Sequence, residues 1–121
     1  MKLRLAFVVV LLALGVAHSG NWVKQVDITG HVPGVVRQIA SLIDEMARDI
    51  TSCVNAGNNR DRCICDQRDQ HERLRLMYEE VMTRYPQWAD KAVSYREGDT
   101  QHVVSFVGIK LQLQYFDRSC R

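Results

Sequence analysis

Between residues 34 and 53 the chain reads GVVRQIASLIDEMARDITSC. Val36, Ile39, Ile43, Met46, Ile50 and Cys53 fall three and four residues apart, so they line one face of an amphipathic helix. Arg37, Asp44, Arg48 and Asp49 fall elsewhere. Pro33 suits the first turn, where its missing N–H costs nothing. Cys53 continues the apolar stripe, and its sulfur should point inward. The run NAGNNRDR that follows breaks the pattern, because Gly57 and its asparagines favour turns.

A second helix is expected from about Asp66, with Asp66 as N-cap and Asp69 three residues on. Its inward face would be Leu74, Met77 or Tyr78, Val81 and Tyr85. The outer face is dense with charge: Arg68 and Glu72, Asp69 and Arg73, and Glu80 and Arg84 stand four apart and can pair for ~0.3 kcal/mol each. His71 falls on this face as a solvated residue. Pro86 forces a break, and PQWADKAV reads as a short extra helix anchored by Trp88.

In AVSYREGDTQHVVSF, apolar and polar residues alternate around the turn signal EGDT, the pattern of a β-hairpin. The last segment, SFVGIKLQLQYFDRSC, fits two templates. Ile109, Leu111, Leu113 and Tyr115 alternate as in a strand, whereas Phe106, Ile109, Leu113, Phe116 and Cys120 follow helical spacing. The helix is preferred, since it covers more residues and Ser105 offers a cap; Gly108 counts against it. In residues 20–32, WVKQVDIT offers a short strand, but Gly30 and Pro33 bracket the segment, which reads as an irregular leader. The fold class is thus mainly α: a small three-helix domain with a short hairpin before the last helix.

The first twenty residues, MKLRLAFVVVLLALGVAHSG, follow another logic. Lys2 and Arg4 precede an apolar run of about ten residues, too short for the ~20 that span a bilayer, and small residues follow. This is the layout of a secretory signal peptide over 1–19, cleaved after Ser19 or, nearly as well, after Ala17. The mature part, 20–121, would form a single helical domain, secreted or periplasmic, with no membrane association after cleavage. The whole chain carries 16 Lys+Arg against 14 Asp+Glu. Removal of Lys2 and Arg4 leaves a formally neutral protein, without the field that nucleic-acid binding requires.

Export changes the meaning of the four cysteines. An even count in a short exported chain points to disulfides. Cys63 and Cys65 are too close for an easy mutual bond. Two connectivities remain: Cys53–Cys63 with Cys65–Cys120, slightly preferred, or Cys53–Cys65 with Cys63–Cys120. The sharper alternative is a thiolate pair, Cys63 and Cys65, holding a soft ion such as Cu(I), with His71 near in sequence. Zinc wants paired ligands at spacings such as C-x₂-C, which are missing. A redox pair lacks its C-x-x-C motif.

No catalytic motif stands out. There is no GxSxG, no HExxH and no phosphate-binding glycine loop. Adjacent positions on a helix point ~100° apart, so His71 and Glu72 form no dyad. Trp88 and Tyr95, near the Pro86 break, together with His102 on the hairpin, are the candidate binding patch. The chain therefore reads as an exported binding protein, with another exported protein as a plausible kind of partner and no cofactor or metal implied. The alternatives are a small exported enzyme using His102 or His71, and a thiol metal or redox protein using Cys63 and Cys65.

Overall fold

A computed structural model of the chain describes residues 23–120. The signal segment expected over 1–19 lies outside the described residues. The order is strand β1 (Lys24–Asp27), helix α1 (Gly34–Asn55), helix α2 (Arg60–Cys65), helix α3 (Arg68–Arg84), a 3₁₀ turn (Pro86–Trp88), strands β2 (Lys91–Glu97) and β3 (Thr100–Ser105), and helix α4 (Phe106–Ser119).

Three long helices and a hairpin before the last one match the sequence reading. On α1 the expected stripe is largely inward: Val36, Ile39 and Met46 are buried, joined by Val35, Ala40 and Leu42. Pro33 stands one position earlier than expected, as N-cap, and its carbonyl accepts from Val36 N. Past Asn55 the chain turns at Gly57, whose φ of 97° suits glycine.

The hairpin pairs β2 antiparallel to β3, Val93 against Val104 and Tyr95 against His102. Its loop is Gly98-Asp99. Gly98 has φ 61°, and no described non-glycine residue has positive φ. Positive φ at the first central position alone marks a type II′ turn, which calls for glycine there. In α4 the Ser105 hydroxyl accepts from Gly108 N at 3.0 Å, and Phe106, Ile109, Leu113, Phe116 and Cys120 are all buried.

Four expectations are corrected. The leader is not wholly irregular: β1 adds to the sheet as a third strand, parallel to β2, with Val26 opposite Val93. NAGNNRDR is a turn only as far as Asn59, whose side chain accepts from Arg62 N and caps α2. Asp66 ends α2 rather than starting the next helix. At the head of α3 Gln67 stands in the cap position without a side-chain cap bond. The extra helix at PQWADKAV shrinks to the 3₁₀ turn, and β2 begins at Lys91.

The main core lies between α1, α3, α4 and the sheet and centres on Ile39, Leu74, Val81, Val93, Tyr95, Val104 and Phe106. A smaller cluster of Ile64, Phe116 and Cys120 closes the disulfide end.

Candidate functional site

Cys53 is bonded to Cys63, with 5.8 Å between Cα atoms, and Cys65 to Cys120, with 5.2 Å. This is the preferred connectivity, and no free thiol remains. Cys63 and Cys65 belong to different bridges, so they present no thiolate pair to a metal. Among the described residues no group of three or more His, Cys, Asp or Glu is placed to hold a metal ion. The bridges fasten α2 to the end of α1 on one side and to the end of α4 on the other.

His71 is not solvated. It is 0% exposed, because α4 lies over it: the Phe116 ring stacks on the imidazole at 4.1 Å. Nδ1 is 2.8 Å from the Gln67 carbonyl and Nε2 is 3.0 Å from Gln112 Nε2. A carbonyl only accepts and an amide nitrogen only donates, so the neutral tautomer with its proton on Nδ1 satisfies both contacts. Burial holds the imidazole pKa below its usual value. A ring enclosed in this way has no route to a substrate.

Trp88 is 8% exposed and Tyr95 1%. The Trp88 ring is stacked on Tyr85 at 4.4 Å and faces Phe106 at 6.0 Å. Both aromatics are core residues and offer no face to a ligand. His102 alone of the three reaches the surface. It stacks on Tyr95 at 4.8 Å, and its Nε2 is 3.3 Å from Glu97 Oε1. The other Glu97 oxygen pairs with Arg37, whose guanidinium also stands 5.8 Å from the Tyr95 ring. The result is a surface cluster of three charged or chargeable groups at the hairpin end.

A feature that the sequence reading missed lies along the seam of α1 and α3. Gln38, Ser41, Leu42 and Glu45 face Arg73, Leu76 and Met77 across a groove of about 440 Å³. Leu76 is 66% exposed. Glu45 also borders a second hollow of about 380 Å³, which continues to Asp49, Asp66, Gln67 and Asp69. The Gln70 amide donates to Glu45 at 2.7 Å and to Asp49 at 3.1 Å. Gln67 is 6% exposed; its Nε2 donates to the Met46 carbonyl at 3.0 Å, while its Oε1 is buried without a partner. Arg68 borders this hollow, but its guanidinium turns to the Cys120 carbonyl, at 3.1 Å, and to the Phe116 ring. One end of the seam therefore carries Leu42, Leu76 and Met77 beside Arg73, and the other is acidic. The signal for it was Leu76, an apolar residue ~200° around the helix from Leu74, in the middle of the charged face.

No family model, curated protein or solved structure matches the chain. No helix among the described residues is long and apolar enough to cross a membrane. The two disulfides suit an oxidising, extracytoplasmic compartment.

Proposed function

We propose that this chain is an exported binding protein, secreted or periplasmic, whose ligand is another exported protein and whose contact surface is the groove between α1 and α3. The observation that carries the reading is Leu76. A leucine two-thirds exposed on the otherwise charged outer face of α3, beside Met77 and an open groove, gains by being covered. The enclosure of His71 and the pairing of all four cysteines support a binding role over catalytic or thiol-based ones.

A photo-crosslinking residue in place of Leu76 tests the surface, with the same residue at Leu111, an exposed leucine on α4, as control. In the native exported fraction, one identified protein should be captured from position 76 and not from 111. Equal capture from both positions, or none, overturns the reading. N-terminal sequencing of the exported product tests the address: it should begin near Gly20, and an intact Met1 in the membrane fraction refutes it.

A second reading, a small exported enzyme working through His102, draws on the His102–Glu97 contact. It is the weaker of the two, because Glu97 is shared with Arg37 and one face of the imidazole lies against Tyr95. Turnover of a chromogenic ester, phosphate or glycoside that disappears in His102→Ala would replace the first reading with this one.

A further inference from the structure

The acidic end of the α1–α3 groove has a one-sided chemistry. The carboxylates of Glu45 and Asp49 accept hydrogen bonds and cannot donate them. The one nearby amide that serves both, Gln70, already donates to each. Beneath them Gln67 Oε1 is a third acceptor, buried and unpartnered, in a side chain that lines the same hollow. A buried acceptor without a donor is a standing cost that a ligand donor would relieve. Two arginines border the groove: Arg73 lines the Leu76 end and not the hollow of Asp49 and Gln67, and Arg68, which does line that hollow, is engaged by the Cys120 carbonyl. What this end lacks is a positively charged donor.

The other end lacks an apolar cover, as Leu76 shows. The two ends are joined through Glu45, which borders both hollows. The helices that frame them run antiparallel. Along α1, Leu42 lines the groove with Leu76, Glu45 accepts from Gln70 and the Met46 carbonyl accepts from Gln67, so the α3 partners descend as α1 ascends. From Gln38 to Asp49 the seam is ~16 Å long at 1.5 Å per residue, about three helical turns. A furrow of this length between two helices is the place where a third helix packs.

We propose that the groove takes a cationic amphipathic helix of the partner protein, with one lysine or arginine seated against Glu45, Asp49 and Gln67 Oε1, and apolar side chains one turn away on Leu76 and Met77. This rests on the groove being the contact surface.

The test uses the oxidised chain and three fluorescein-labelled helical peptides of about three turns. One carries two leucines four positions apart and two lysines in the adjoining turn. In the second the lysines are glutamine, and in the third glutamate. Spermidine is titrated as a free amine. Amide NMR spectra and denaturation midpoints of every variant establish that it is folded; Asp49 and Leu76 are exposed and Glu45 is half-buried.

The lysine peptide should bind at least about tenfold tighter than the glutamine peptide, and the glutamate peptide weakest of all. Glu45→Gln with Asp49→Asn should erase the difference between lysine and glutamine, whereas Leu76→Ser should weaken both. Equal binding of lysine and glutamine peptides, indifferent to the acidic variant, would overturn the cation while leaving the groove as a contact surface. Spermidine binding as tightly as the lysine peptide would overturn the helix as occupant. If no peptide shifts the amide signals of Leu76 and Met77, and the crosslinker at position 76 captures nothing, the inference and the reading beneath it fall together.

Discussion

The imidazole of His71 lies nearly parallel to the ring of Phe116, with centroids 4.1 Å apart and planes inclined by 15°. The contact ties α3 to α4 and enables the fold to sense acid. Above the ordinary histidine value of 6.5, neither the folded nor the unfolded chain binds a proton here, and the contribution of the site is fully present. Burial depresses the folded value, so as the pH falls below 6.5 the unfolded chain is protonated first and stability drains away until the folded value is passed. Urea midpoints between about pH 7 and about pH 5 should fall in the wild type and fall less in His71→Leu. Parallel curves for the two proteins would show that His71 is not the sensor.

The two disulfides should differ in worth. Cys65–Cys120 joins residues 55 apart and Cys53–Cys63 residues 10 apart. Chain entropy assigns roughly 4 kcal/mol to the longer loop and roughly 3 to the shorter. Paired serine variants measured by denaturant should show the larger loss for Cys65 and Cys120. Peptide mapping of the non-reduced protein should join Cys120 to Cys65 and Cys53 to Cys63. Four free thiols in quenched native material would remove both bridges from the account.

The charged face of α3 should tolerate substitution unevenly. Glu72 is exposed and meets only the edge of Arg75, at 3.6 Å, so Glu72→Ala should cost under ~0.5 kcal/mol. Arg75 also reaches Asp117 of α4 through two nitrogens, at 2.5 and 3.2 Å. Bidentate geometry across elements makes it the more costly loss, up to about 1 kcal/mol. Equal effects of Glu72→Ala and Arg75→Ala in thermal unfolding would refute the distinction.

Ser105→Ala should destabilise by about 1 kcal/mol, the usual value of an N-cap, by removing the acceptor for Gly108 N. Ser105→Asp should restore most of it, because a carboxylate caps as well and favours the positive end of the helix dipole. A neutral alanine variant would mean that water replaces the cap without loss.

Long, repeating patterns proved readable. The α1 stripe, the hairpin around EGDT and the helical template for 106–119 all rest on several residues in phase. In the last of these, Leu111, which only the strand template places inward, is exposed, and Phe116, which only the helical one places inward, is buried. Short or non-local features were harder to read. β1 has four residues, and its partner β2 begins more than sixty positions later, so local alternation carried little weight. α2 has six residues, too few for a stripe. The charged neighbours of His71 point to a solvated face, yet it keeps helical phase with Leu74, Tyr78 and Val81, and that phase carries it under α4. Trp88 and Tyr95 read from sequence as a binding patch beside the Pro86 break, but the 3₁₀ turn brings Trp88 between Tyr85 and Phe106. The groove needed two helices side by side, and no single stretch of sequence announces such a seam.

Cys63 and Cys65 sit two residues apart on α2, so their side chains leave the helix ~200° apart. One faces the end of α1 and the other the end of α4. Exchanging the partners would require the little helix to roll half a turn, taking Ile64 out of its cluster with Phe116. The six-residue helix therefore works as a key: the pairing seen here is the one that keeps Ile64 in its cluster, and what separates it from the swapped pair is the direction in which each sulfur faces rather than its distance along the chain.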